Sequence, residues 1–193
     1  MIKLSTPHQL IIGLALATLF ALTRGHHFAS FNQLPGASWA VFFLAGVYLR
    51  PAWVLPALLA ATWLMDFSSY ILTGVGGFCL TPAYVFLLPA YSALWMAGHW
   101  YAGQHNLHWR ALLPLSFAVL GGAVVCELFS SGGFYFFSGR FSEPTFAEFG
   151  TRLVTYFPAY LQSLLFYVAI TSLVHVLFVM VNRTRLNKND ISV

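Results

Sequence analysis

The chain has 193 residues, 59% of them hydrophobic and only 7% charged, whereas a soluble domain carries roughly a quarter charged residues, so no water-facing surface can be built from it. Its net charge of +4 comes from nine lysines and arginines scattered among expected helix ends, which excludes the basic stripe of a nucleic-acid binder. A mean hydropathy of +0.76 and an 18% aromatic share suit lipid-facing helices and their interfaces.

At ~20 residues per span, the length allows about six helices and a single all-α membrane domain over residues 1–193. The first helix is expected from Pro7 to Thr23, ending at Arg24, and is read as retained because no small-x-small cleavage site precedes Arg24. A turn-rich loop with His26, His27 and Asn32 to Gly36 follows. The second helix is expected over Ala37 to Leu49, with Arg50-Pro51 as a tight link to the third, Ala52 to Leu72. The next segment, Thr73 to Pro82, holds three glycines and a closing proline, which cannot continue a helix comfortably. The fourth helix is expected over Ala83 to Trp100, and the fifth over Ala111 to Phe129. Ser130 to Gly150 reads as a long irregular stretch lying at the membrane surface, before a sixth helix over Thr151 to Val181 and a polar tail.

Lysine and arginine in short loops accumulate on the cytoplasmic side. With the N-terminus inside, Lys3, Arg50, Arg110, Arg183, Arg185 and Lys188 lie inside, and Arg24, Arg140 and Arg152 outside. Six against three favours both termini in the cytoplasm. The loops carrying His26-His27, Cys79 and the aromatic stretch then share the external face. No internal repeat is visible, which disfavours an inverted-repeat transporter. No nucleotide-binding or hydrolase motif is present either.

Cys79 is the sharpest candidate for chemistry, since it sits among small residues where a thiol and the backbone can approach a large ligand. A small apolar filler is the equal alternative. Cys126 reads as a packing residue. Its neighbour Glu127, a carboxylate inside a span, must face protein interior or a polar cavity, because insertion costs about 2.5 to 3.5 kcal/mol. Asp66 meets the same requirement in the outer half of the third helix. Tyr84 and Arg152, each opening a helix from the outside, are expected to converge with it beneath the Cys79 loop. Aromatic-belt and snorkelling roles are their alternatives. His26 and His27 lack a locally spaced third metal ligand. Gly13, Ala17 and Ala21 form a small-residue stripe fit for an internal helix contact or for a partner.

Short spans in this length, ligand-rich external loops and the run Gly-Gly-Phe-Cys-Leu-Thr-Pro around Cys79 together resemble the BtuM-type cobalamin transporters. These are solitary relatives of the S-components of energy-coupling-factor vitamin importers. The resemblance implies a six-helix S-component-like bundle and vitamin B12 uptake across a bacterial inner membrane. It also implies a Cys79 thiolate ligating the corrin cobalt and assisting decyanation of cyanocobalamin. Asp66, Tyr84 and Arg152 would then bond the corrin amides or the nucleotide tail, Arg152 suiting the phosphate, and Phe78 would pack on the ring. The partner would be an energy-coupling module or none. Two other classes stay open: an S-component for a different small molecule with Cys79 structural, and a membrane thiol enzyme with His26 or His27 as base.

Overall fold

The computed structural model describes residues 5–24, 34–73, 81–104 and 111–190, with side chains as far as Val181. Phe78 and Cys79 lie outside the described residues, as do His26, His27, His105, His108 and Arg110. The only regular structure among the described residues is helical: α1 (Thr6–Arg24), α2 (Ser38–Tyr48), α3 (Val54–Thr73), a 3-10 turn (Pro82–Phe86), α4 (Leu87–Gln104), α5 (Leu112–Phe137) and α6 (Phe146–Asp190).

The bundle turns its apolar side chains outward as well as inward. Phe146 is 84% exposed and Val154 78%, and Leu113 and Phe117 stand almost as free. Such a surface calls for lipid as its solvent, since each Å² left in water costs about 25 cal/mol. Four helices, α1, α3, α5 and α6, are long and apolar enough to cross a membrane. The chain is thus an all-α membrane protein. α2 is too short to cross alone, since 11 residues rise only about 16 Å against a hydrocarbon core of about 30 Å. It is instead sheathed in protein, every residue from Trp39 to Val47 being buried.

Two glycines explain how α2 sits so deep. A Cβ on Gly46 would lie 2.1 Å from the Trp95 carbonyl oxygen of α4, and one on Gly98 would lie 2.0 Å from the Phe43 carbonyl oxygen of α2. The two helices therefore cross backbone against backbone, with one glycine from each at the contact. Phe42 stacks on Tyr91 at 4.4 Å beside this crossing, and α5 closes on α4 where Gly122 meets Ala97. α6 packs on α2 where Tyr160 stacks on Trp39 at 5.3 Å, and the Tyr167 hydroxyl donates to the Pro35 carbonyl just before α2 at 2.7 Å.

The expected irregular stretch from Ser130 to Gly150 shrinks to residues 138–145. α5 continues through Ser130 and Ser131 to Phe137, and α6 begins at Phe146 rather than at Thr151. Packing overrides the low helix propensity of Gly132 and Gly133: a Cβ on Gly133 would enter the Phe86 ring at 2.4 Å, and one on Gly132 would press on Phe149 at 3.3 Å. Thr145 caps α6 by accepting the Glu148 N–H at 3.3 Å. At its far end α6 runs on to Asp190, nine residues past the expected Val181. The fourth helix opens as a 3-10 turn because Pro89 has no N–H to give the Val85 carbonyl.

Candidate functional site

One end of the bundle gathers the last turn of α1, the first turn of α2, the second half of α3, the 3-10 turn, the second half of α5 and the first turns of α6. Between them lies a cavity of about 440 Å³ whose wall includes Arg24, Asp66, Tyr84, Glu127, Arg152 and Tyr160. That volume is within the range of small-molecule sites, about 300 to 1,000 Å³.

Its first wall is an ionic clasp. Arg24 holds Asp66 with two parallel bonds, Nε to Oδ1 at 2.8 Å and Nη2 to Oδ2 at 2.6 Å, the two-pronged geometry that makes guanidinium pairs strong. Arg24 Nη1 also donates to Ser38 Oγ at 3.0 Å and to the Tyr91 hydroxyl at 3.1 Å. The Tyr84 hydroxyl donates to Asp66 Oδ2 at 2.8 Å. Four helices and the 3-10 turn thus meet on one charge pair, largely shielded from solvent at 13% and 26% side-chain exposure. The placement is also electrostatically sound, because a cation at a helix C-terminus opposes the partial negative charge there.

The opposite wall differs. Arg152, on the first turns of α6, lies over the rings of Phe141 at 4.9 Å, Tyr156 at 5.4 Å and Tyr135 at 5.6 Å. No carboxylate pairs with it among the described residues. Tyr135 is fixed from below, its hydroxyl donating to Glu148 Oε2 at 2.9 Å and accepting the Thr145 N–H at 3.1 Å. The α5–α6 turn is therefore built as a rigid support under one guanidinium.

Glu127 forms part of the cavity wall on α5, only 2% exposed. Its Oε1 accepts from Ser131 Oγ at 2.6 Å, while Oε2 is buried with no hydrogen-bond partner. A buried group left in this state costs roughly 1 to 3 kcal/mol. Cys126 points the other way, into the core, as a free and fully buried thiol.

Of the residues singled out in the sequence, Asp66, Tyr84 and Arg152 do border one cavity. Asp66 and Tyr84 bond to each other, and Arg152 stands apart from both. Arg24 and Tyr91 were missed, Arg24 having counted only as a topological charge. The available signal was a cation closing α1 on the same side as an intramembrane aspartate that needs a partner. The segment 74–80, which holds Cys79, leaves α3 two turns after Asp66 and returns three residues before Tyr84. The Tyr84–Asp66 bond joins the two described elements that flank it. Among the described residues no three histidine, cysteine or carboxylate side chains come together as a metal site. The small-residue stripe of α1 turns away from the core at Ala17 and Ala21, both exposed, which removes the internal-packing reading for those two positions. In comparisons with known proteins, no family model matches the chain and no curated protein matches it.

Proposed function

We propose that the protein binds cobalamin at the external end of its bundle and carries it across a bacterial inner membrane, with the Cys79 thiolate as a ligand of the corrin cobalt. The observation that carries this reading is the Tyr84–Asp66 bond, which joins the two described elements flanking residues 74–80 in the wall of a cavity that also holds a guanidinium with no carboxylate partner among the described residues. The cavity is smaller than a whole corrinoid, so the macrocycle would lie across its mouth, with Phe78 against the ring and the nucleotide phosphate reaching Arg152. Asp66, held by Arg24 and Tyr84, would act mainly by fixing the wall. A soft thiolate donor opposite a bound cyanide would weaken the cobalt–cyanide bond, which is the basis for assisted decyanation.

In this reading all six helices enter the membrane, α2 as a protein-sheathed short span, with both termini cytoplasmic. The outward face of Ala17 and Ala21 is the surface a coupling subunit would use, if transport requires one. The test is the visible spectrum of the purified protein with cobalamin. Wild type should show shifted bands relative to free cobalamin, and Cys79→Ala should lose the shift. Identical free-cobalamin bands in both would end the ligation reading.

A second reading is favoured by the size of the cavity. About 440 Å³ suits a whole ligand smaller than a corrinoid, for which Cys79 would be structural. A thermal-shift panel of vitamins separates the two, because a ligand at 100 times its Kd stabilises by about 2.7 kcal/mol. Stabilisation by cobalamin alone removes the second reading.

A further inference from the structure

The cavity wall carries two carboxylates in very different states. Asp66 accepts three short bonds from Arg24 and Tyr84 and has little capacity left for a ligand. Glu127 accepts one, from Ser131, and its second oxygen is buried without a donor. Among the described residues neither cavity cation pairs with it: Arg24 is paired with Asp66, and Arg152 lies over aromatic rings. α5 therefore carries, one turn below the glycines that seat Phe86 and Phe149, a polar group the fold leaves incomplete.

We propose that Glu127, oriented by Ser131, is the receptor for a primary carboxamide of the bound ligand. The inference rests on the cobalamin reading, whose ligand has several peripheral carboxamides and no ammonium group. Ser131 fixes Oε1 as an acceptor, so Oε2 is the atom that meets the ligand. An ionised Oε2 accepts an amide N–H, and a protonated Oε2 donates to the amide carbonyl. A primary amide is a neutral group that satisfies either state, and it is the one cobalamin carries in several copies at its periphery. A carboxylate in its place would face Glu127 with like charge or compete with it for one proton.

The probes are cobalamin and its singly hydrolysed derivatives, in each of which one peripheral carboxamide has become a carboxylate. Their affinities are measured on purified full-length wild type and on Glu127→Gln, a near-isosteric change that keeps the Ser131 contact. One derivative should bind wild type at least about tenfold more weakly than cobalamin does, and Glu127→Gln should relieve that penalty by a similar factor, as expected for a hydrogen bond to a charged group. A monodisperse elution profile and a cooperative thermal transition like those of wild type show that the variant is folded. Penalties that are the same in both proteins for every derivative overturn the subsite and leave the cobalamin reading standing. Failure of wild type to bind cobalamin overturns both. Should the variant not fold, wild type decides alone: a penalty confined to one derivative supports the subsite, and equal affinities for all overturn it.

Discussion

The crossing of α2 and α4 and the cavity at the bundle end are built on opposite terms. At the crossing packing dominates: two glycines bring backbone onto backbone, every residue of α2 from Trp39 to Val47 is buried, and the Trp95 indole N–H alone is left there without a partner among the described residues. At the cavity the polar groups exceed the bonds available to them, with a guanidinium lacking a carboxylate and a carboxyl oxygen lacking a donor. Lipid cannot reward polar groups, so a membrane protein that keeps them unsatisfied does so for something other than the fold. The crossing holds the elements in place, and the cavity is what they hold.

The sharpest way to break that contrast is at the crossing. Gly98→Ala puts a Cβ onto a carbonyl oxygen that belongs to backbone and cannot rotate away. Its cost should reach or pass the ~3 kcal/mol upper end of ordinary overpacking, seen as loss of monodisperse protein in detergent or a large drop in Tm. Gly121→Ala is the matched control, with nothing within 4 Å of its new methyl. It should be neutral or stabilise by up to about 1 kcal/mol. Equal effects from the two would mean that α2 and α4 do not cross at these glycines.

Next in size is the clasp. Arg24→Ala strands Asp66 in a largely buried site, and breaking such a pair from one side costs about 3 to 5 kcal/mol, an upper bound here because Asp66 keeps Tyr84 and some solvent. The double change Arg24→Ala, Asp66→Asn should recover part of the loss in thermal unfolding. A double variant no more stable than Arg24→Ala would show that the two side chains are not coupled.

The clasp also marks how far the sequence could be read. Asp66 was legible because a carboxylate within an apolar span must have a reason. Arg24 was not, since a cation closing a helix already has an ordinary explanation at the interface, and only the packing of α1 against α2 brings it within reach of Asp66 on α3. The extent of α5 was hidden for a related reason. Ser130 to Gly133 reads as a helix breaker until the Phe86 and Phe149 rings occupy the space that side chains there would need. Helix number and apolar character follow from composition. Where helices end, and which polar groups find one another, depends on contacts between residues far apart in the chain.

Tyr84→Phe refines the comparison, because it removes one bond to a carboxylate that keeps two others. Stability should fall by only about 1 to 2 kcal/mol, near the lower end for a bond to a charged group. Ligand affinity should fall more than stability does, since this hydroxyl joins the two described elements that flank residues 74–80. Titration calorimetry beside a Tm measurement separates the two effects, and an affinity unchanged from wild type would detach that segment from the site.

The smallest stability effect is expected at Arg152, where the function of the cavity is most at stake. Its guanidinium gains only cation–π contacts from Phe141, Tyr156 and Tyr135, worth about 0.5 to 2 kcal/mol, so Arg152→Ala should leave a folded protein with a slightly lowered Tm. If this cation is kept for the anionic part of a ligand, affinity should nevertheless fall by tenfold or more, about 1.4 kcal/mol or above. Arg152→Lys should recover little, because a point charge reproduces neither the planar fork nor the stacking. A variant that loses stability and affinity in equal measure would place Arg152 with the α2–α4 crossing, as scaffold rather than as site.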